Sequence, residues 1–148
     1  MQTIDLKKLY EEDEHLWLFE NAKLLREGKI ELADIQHIAE TLEEMGKRDY
    51  KEVLSRMRIL VSHLLKWKYQ KERRGTSWEL TITEQRFQLN DEFGFSKNLK
   101  KFASENFPAI YEKSRIIASK ETELPPSTFP DEPPFTFEQT IDEEYLPE

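Results

Sequence analysis

The chain has 148 residues, a formal net charge of -8 and no cysteine. That length suits one domain of ordinary size with its own core, and the missing cysteines exclude disulfides, thiolate metal sites and a thiol nucleophile. Its apolar runs are shorter than the roughly 18 residues that span a bilayer. The first residues, MQTIDLKKLYEEDE, lack the apolar centre of a signal peptide, so we expect a cytoplasmic protein that does not enter the membrane.

Two helices are predicted in the first third of the chain, over about 5–27 and 31–45. Apolar residues recur in both at helical spacing, and Gly28 and Gly46 follow the two ends as stop signals. Two helices joined by a short turn predict an antiparallel hairpin. The predicted apolar stripes are Leu6, Leu9, Tyr10, Leu16, Trp17, Leu24 and Leu25 on the first helix, and Leu32, Ile35, Ile38, Ala39, Leu42 and Met45 on the second.

A third helix, over about 48–71, has the most regular apolar pattern and is expected to be central. Gly75 ends it, and Ser77 is the predicted N-cap of a fourth helix that continues to about Phe93. The stretch TSWELTIT is also compatible with a strand. We prefer a helix there, because a lone strand would have no partner.

A fifth helix is predicted over about 96–121, with Pro108 kinking or dividing it. Five prolines then fall in TELPPSTFPDEPPFTF, which predicts an extended segment. Its three phenylalanines suggest that this segment packs along the bundle before a short helix near 138–145. The predicted fold is therefore all-α: a single-domain bundle of about five helices over 1–121, followed by an extended, proline-rich acidic segment over 122–148.

The charges are segregated along the chain. Residues 1–46 contain 5 basic and 12 acidic residues, residues 47–74 contain 10 and 3, and residues 122–148 contain 8 acidic and no basic residues. The basic stretch either neutralises the acidic parts of the same chain or forms a surface for nucleic acid or an acidic partner. A third interpretation is that the acidic tail competes for that surface.

Several long strings resemble one family in combination. They are LYEEDEHLWLFENAKLLREG, AETLEEMGKRD, HLLKWKYQ, SWELTITEQR and LPPSTFPDEPPFTFEQTIDEEYLP. Together they cover nearly the whole chain and resemble the mostly cyanobacterial and proteobacterial domain-of-unknown-function family number twenty-nine. The resemblance implies an α-helical bundle of about this length, found largely in bacteria, and brings no activity with it.

A polar cluster on the third helix and at its corner with the fourth is the main candidate site. Its members are Arg56, His63, Lys66, Trp67, Gln70, Arg73, Arg74, Trp78 and Arg86. With an acid such as Glu20, Glu40 or Glu43, it could be a hydrogen-bonded network that fixes the register of the bundle. Alternatively, cations beside tryptophan could bind a phosphate or another anion. The structural role is preferred, since no glycine-rich phosphate loop accompanies the cluster.

Metal binding and catalysis have weaker support. His37 and Glu40 share a helix face at i and i+3, and His63 could join them as a third ligand. Only one such weak motif is present, so we predict no metal and no cofactor. Ser55 and Ser62 lie in mid-helix without a nucleophile elbow, and we predict no catalytic residue.

The function favoured by the sequence is a small, non-enzymatic protein-interaction or regulatory bundle. It would act on a protein partner or as a homo-oligomer, and antitoxin-like masking of a basic partner is one version. The abundant aromatic residues suit protein contacts. The alternative is an anion-binding or nucleic-acid-binding domain that uses the corner between the third and fourth helices, and a metal site within the bundle ranks third.

Overall fold

The computed structural model describes residues 4–148, and within them the chain is all-α, with seven α-helices and no strand. The predicted fold class is confirmed, whereas the predicted number of about five helices is wrong. Three short 3-10 helices lie at Ile30–Leu32, Lys71–Arg73 and Pro126–Thr128. The α-helices are α1 (Leu6–Glu12), α2 (Glu14–Arg26), α3 (Ile35–Tyr69), α4 (Thr76–Phe95), α5 (Lys97–Glu105), α6 (Phe107–Thr122) and α7 (Phe137–Ile141).

The first predicted helix is divided at Asp13. The side chain of Asp13 accepts a hydrogen bond from the backbone N–H of Leu16 and so caps α2, as Asp5 caps α1 through Lys8. An aspartate that binds backbone N–H groups in this way favours a new helix start over a continuous helix. The prediction of one helix over 5–27 is therefore corrected to two.

The second and third predicted helices are one. α3 passes through Gly46 without a break, although Gly46 was predicted to end the second helix. A glycine inside a helix costs only about 1 kcal/mol relative to alanine, and the helix formers on both sides outweigh that cost. Gly28 differs, because its φ of 73° is the left-handed conformation that ends a helix.

Two further boundaries differ from the predictions. α4 begins after Gly75 as its N-cap rather than after Ser77. The fifth predicted helix is divided, as Pro108 indicated, but the break lies at Asn106, between α5 and α6. Pro108 lies in the first turn of α6, where its missing N–H costs no helical hydrogen bond.

The chain separates into two compact units, Met1–Arg48 and Asp49–Glu148. In the amino-terminal unit, of which residues 4–48 are described, the buried apolar side chains are those of Leu6 and Trp17. The carboxy-terminal unit has one large core, built from α3, α4, α5, α6 and residues 129–137. Among residues 4–148, no helix is both long and apolar enough to span a membrane.

Candidate functional site

A buried polar network joins α2 to the start of α3 in the amino-terminal unit. Trp17 Nε1 donates to Asp34 Oδ2 at 3.1 Å, and His37 Nδ1 lies 2.7 Å from the same oxygen. Asn21 accepts from the backbone N–H of Asp34 at 2.8 Å and donates to the carbonyl of Trp17 at 2.9 Å. Tyr10 stacks on the imidazole of His37, with ring centroids 4.1 Å apart. The network fixes Trp17 and Asn21 in position.

The charge of Asp34 is stabilised within this network. Burial by itself raises the pKa of a carboxyl group, but the hydrogen bonds from His37 and Trp17 outweigh it, so the pKa of Asp34 is lowered. Only Oδ2 has these partners, because Asp34 Oδ1 is buried without a hydrogen-bond partner. A buried carboxylate is destabilising unless its charge is hydrogen-bonded, so Asp34 depends on both Trp17 and His37.

An apolar groove lies beside this network, between α2 and α3. It has a cavity volume of about 170 Å³. A dry cavity of about 150 Å³ is large enough to bind benzene, so this groove has room for an aromatic or branched aliphatic side chain. We call it the amino-terminal groove, and its lining residues are Trp17, Leu18, Asn21, Ala22 and Leu25 of α2 with Ile38, Thr41, Leu42 and Met45 of α3.

The large apolar side chains of the groove are exposed to an unusual degree. Leu42 is 64% exposed and Met45 53%, while Leu18 and Leu25 are 43% and 42% exposed. Only Trp17, at the floor, is fully covered. A contiguous exposed apolar surface of this kind is typical of sites where another molecule binds.

The polar atoms of the groove floor are already used within the unit. Asn21 bonds to Trp17 and Asp34, and the hydroxyl of Thr41 donates to the carbonyl of His37 at 2.8 Å. Both walls are helices, whose backbone groups bond within the helix. The groove therefore binds by apolar contact and shape, and offers few directional hydrogen bonds to a ligand.

The polar cluster predicted from the sequence is divided into separate local arrangements. Lys66, which is buried, pairs with Glu121 of α6 at 2.5 Å. Its Nζ lies 3.5 Å from Nε2 of His63 and 5.2 Å from the ring centroid of Trp78. His63 Nδ1 lies 2.8 Å from the carbonyl oxygen of Ile59, so Nδ1 carries the proton and Nε2 faces the ammonium group. Burial and this neighbouring charge lower the pKa of His63.

The other cations of the cluster contact different partners. Arg74 lies 5.1 Å from the ring centroid of Trp67 and donates to the carbonyls of Trp67 and Pro147. Arg56 donates to Glu52 and Gln85. Gln70 is buried at the end of α3, and Arg73 is exposed. These residues do not converge on one pocket.

Arg86 forms the most deeply buried arrangement of the set. It is 2% exposed and donates to three backbone carbonyls near the carboxyl end: Thr140 at 2.8 Å, Tyr145 at 2.6 Å and Gln139 at 3.3 Å. Burial lowers the pKa of Arg86, and the nearby Asp142 opposes that shift. The guanidinium group therefore holds residues 139–145 against α4.

The low-ranked metal candidates contact other groups. His37 bonds to Asp34, and His63 bonds to the backbone of α3. Glu40 is exposed. Within residues 4–148, no three histidine, aspartate or glutamate side chains are arranged so that they could hold a metal ion.

Three residues important to these arrangements were missed in the sequence. Asp34 and Asn21 join α2 to α3, and the only local signal was an aspartate just before a helix, which is typical of an N-cap. Glu121 pairs with Lys66 across 55 positions of the chain. No short-range pattern could have identified that pair.

The structure thus defines an all-helical protein with an open apolar groove on its amino-terminal unit. Its sequence identifies the family, since the family model "Domain of unknown function DUF29" matches residues 9–146. The chain belongs to that family, as its sequence strings had indicated. Comparison with curated proteins found no match, and comparison with solved structures found none either.

Proposed function

We propose that this protein is a non-enzymatic interaction module that binds a basic partner protein through the amino-terminal groove. The observation that carries the proposal is the exposure of Leu18, Leu25, Leu42 and Met45 along one groove. Covering them releases water from apolar surface, which is the main favourable term in protein association. Their exposure without a partner is unfavourable, because it leaves apolar surface in contact with water.

The charge of the unit indicates the chemistry of the partner. Residues 1–46 contain 12 acidic and 5 basic residues, and most of these acids are exposed. A partner rich in lysine and arginine would be attracted to this surface and oriented on it. An acidic partner, or nucleic acid, would be repelled from it.

The alternative of an anion or nucleic-acid site at the corner of α3 and α4 has less support. Lys66, Arg74 and Arg86 all bond within the protein. That alternative would depend on exposed cations such as Lys71 and Arg73. We therefore favour the groove as the binding surface.

Affinity purification from the cells that make the protein tests this proposal. The wild type is compared with Leu42→Asp, which places a charge in the groove, and with Leu80→Asp. Leu80 lies on α4 in the other unit and is 63% exposed, against 64% for Leu42, so the two substitutions are matched in exposure and chemistry.

The proposal predicts one stoichiometric basic protein with the wild type and with Leu80→Asp, and its loss with Leu42→Asp. Circular dichroism checks that both variants keep their helices. Recovery of the same partner with all three proteins would overturn the proposal. Recovery of nucleic acid in its place would favour the corner of α3 and α4.

A further inference from the structure

We infer that the occupant of the amino-terminal groove is a single amphipathic α-helix of the partner, with lysine or arginine flanking its apolar stripe. This inference rests on the proposed function and specifies the chemistry of the partner. Three properties of the groove support it: its shape, the internal hydrogen bonds of its polar groups, and the charges around it.

The walls of the groove exclude an extended peptide as the preferred ligand. A peptide that binds as a strand needs unpaired backbone N–H and C=O groups at a sheet edge, and both walls here are α-helices. Asn21 and Thr41 are also bonded internally. A helix satisfies its own backbone and presents only side chains, so it can enter the groove without losing hydrogen bonds.

The length of the groove suits about two turns of helix. Its lining extends from Trp17 to Leu25 on α2 and from Ile38 to Met45 on α3, which corresponds to about 12 Å at 1.5 Å per residue. A partner helix would place apolar side chains at i, i+4 and i+7 along that distance. Met45 can adapt its flexible side chain to their shapes.

Acidic residues outnumber basic ones among the immediate sequence neighbours of the groove's lining residues: Glu20, Glu40, Glu43 and Glu44 against Lys23 and Arg26. Glu14 lies one turn before Leu18 on α2, and Glu43 is adjacent to Leu42 on α3. Both glutamates are exposed. A helix lying in the groove would gain from cations on its flanks, which would meet these carboxylates at the rim.

A second copy of this chain does not supply such a helix. Its basic stretch over 47–74 lies in α3 and the following turn, and the apolar face there is already buried, with Val53, Met57 and Leu60 at 0% exposure. A second copy exposes apolar side chains on its acidic amino-terminal unit and on α4, where Leu80 is 63% and Phe87 49% exposed. α4 carries four acidic residues and a single cation, the buried Arg86. Like charges would then face each other, which opposes association.

Binding of designed peptides to the full-length protein tests the inference, with fluorescence anisotropy as the readout. The probe is a peptide of about 15 residues, long enough for measurable helicity, with leucine at i, i+4 and i+7 and lysine on both flanks. One control peptide has glutamate in place of lysine. A second keeps the lysines and has two central residues replaced by proline, which prevents a helix.

The lysine-flanked peptide is expected to bind more than about tenfold tighter than either control peptide, and its affinity to fall with added salt. Leu42→Asp should weaken it by more than about tenfold, as loss of a central apolar anchor does, and Leu80→Asp should not. If the proline peptide binds as tightly as the lysine-flanked peptide, the inference that the occupant is a helix is overturned. If the glutamate peptide binds as tightly, the inference that basic residues flank its apolar stripe is overturned.

Sedimentation of the protein alone tests whether a second copy of this chain occupies the groove. A dimer that Leu42→Asp dissociates would identify a second copy as the occupant and overturn the inference. If the native partner requires Leu42 but the helical peptide binds no better than the proline peptide, the inference fails while the proposed function stands. If the native partner does not require Leu42, the proposed function itself fails.

Discussion

Trp17 and Asp34 are joined by a hydrogen bond of 3.1 Å from the indole Nε1 to the carboxylate Oδ2. Trp17 also forms part of the floor of the amino-terminal groove. The same side chain therefore belongs both to the polar network that holds α2 to α3 and to the proposed binding surface. Changes to this pair should alter the stability of the unit and the shape of the groove together.

Trp17→Phe removes the N–H donor and keeps an aromatic ring in the floor. Asp34 is 4% exposed and its Oδ1 has no hydrogen-bond partner. The variant would leave Oδ2 with His37 as its remaining partner, which should destabilise the unit by about 1–3 kcal/mol. Hydrogen exchange of the α2 and α3 amides within residues 4–48 measures this change. Unchanged protection in that region would contradict the role assigned to the indole.

Asp34→Asn tests the stabilisation of the carboxylate. The pKa of Asp34 is lowered in the folded protein, so its contribution is fully present above about 3.9, the usual carboxyl pKa. It is lost as the pH falls through the folded value. The variant should be less stable than the wild type at pH 7, and the difference should shrink in acid. Urea unfolding over a pH series would show a constant difference if the account of Asp34 were wrong.

His63→Gln should make the protein less sensitive to mild acid. The pKa of His63 is lowered by burial and by Lys66, so the unfolded chain takes up a proton first as the pH falls below about 6.5. Wild-type stability should therefore decline from that pH downward until the folded group is also protonated. His15→Gln, at an exposed position, is the control. Parallel declines in all three proteins would contradict this assignment.

Tyr111→Phe should make the stability of the protein less sensitive to alkaline pH. Burial raises the pKa of Tyr111 to about 12, and its hydroxyl donates to the carbonyl of Pro130. The unfolded tyrosine ionises near pH 10, so wild-type stability should fall as the pH rises from there toward 12. The variant should lose about 1 kcal/mol at pH 7 and show a weaker alkaline decline. An identical decline in thermal melts would show that Tyr111 is not responsible.

Arg86→Lys tests the attachment of residues 139–145 to α4. A lysine cannot supply the fixed donors that reach the three carbonyls of Gln139, Thr140 and Tyr145. We expect a loss of roughly 2–3 kcal/mol and faster hydrogen exchange in α7. Arg73→Lys is the matched control, because Arg73 is exposed. Equal exchange in both variants would mean that Arg86 does not hold this segment.

Helical periodicity predicted the fold class well and the helix boundaries less well. The apolar pattern of the helix predicted over about 48–71 was confirmed, since Val53, Met57 and Leu64 are buried. The errors at Asp13 and Gly46 arose because the same residue types can begin, end or continue a helix, and the surrounding contacts determine which occurs.

The candidate site was harder to predict for a physical reason. Periodicity shows which helix face is apolar but not whether the chain itself covers that face. Leu42 and Met45 were placed on a core stripe, and they are 64% and 53% exposed. Arg86 was grouped with neighbouring cations, yet its partners are carbonyls more than 50 positions away. Such long-range partners leave no signal in local spacing.

The most direct test of the groove as a binding surface is the affinity of the purified native partner for three proteins, measured by calorimetry. They are the wild type, Leu42→Asp and Leu80→Asp. The account predicts that Leu42→Asp weakens binding by more than about tenfold while Leu80→Asp leaves the Kd unchanged. Equal dissociation constants for all three proteins would contradict it and place the partner elsewhere on the molecule.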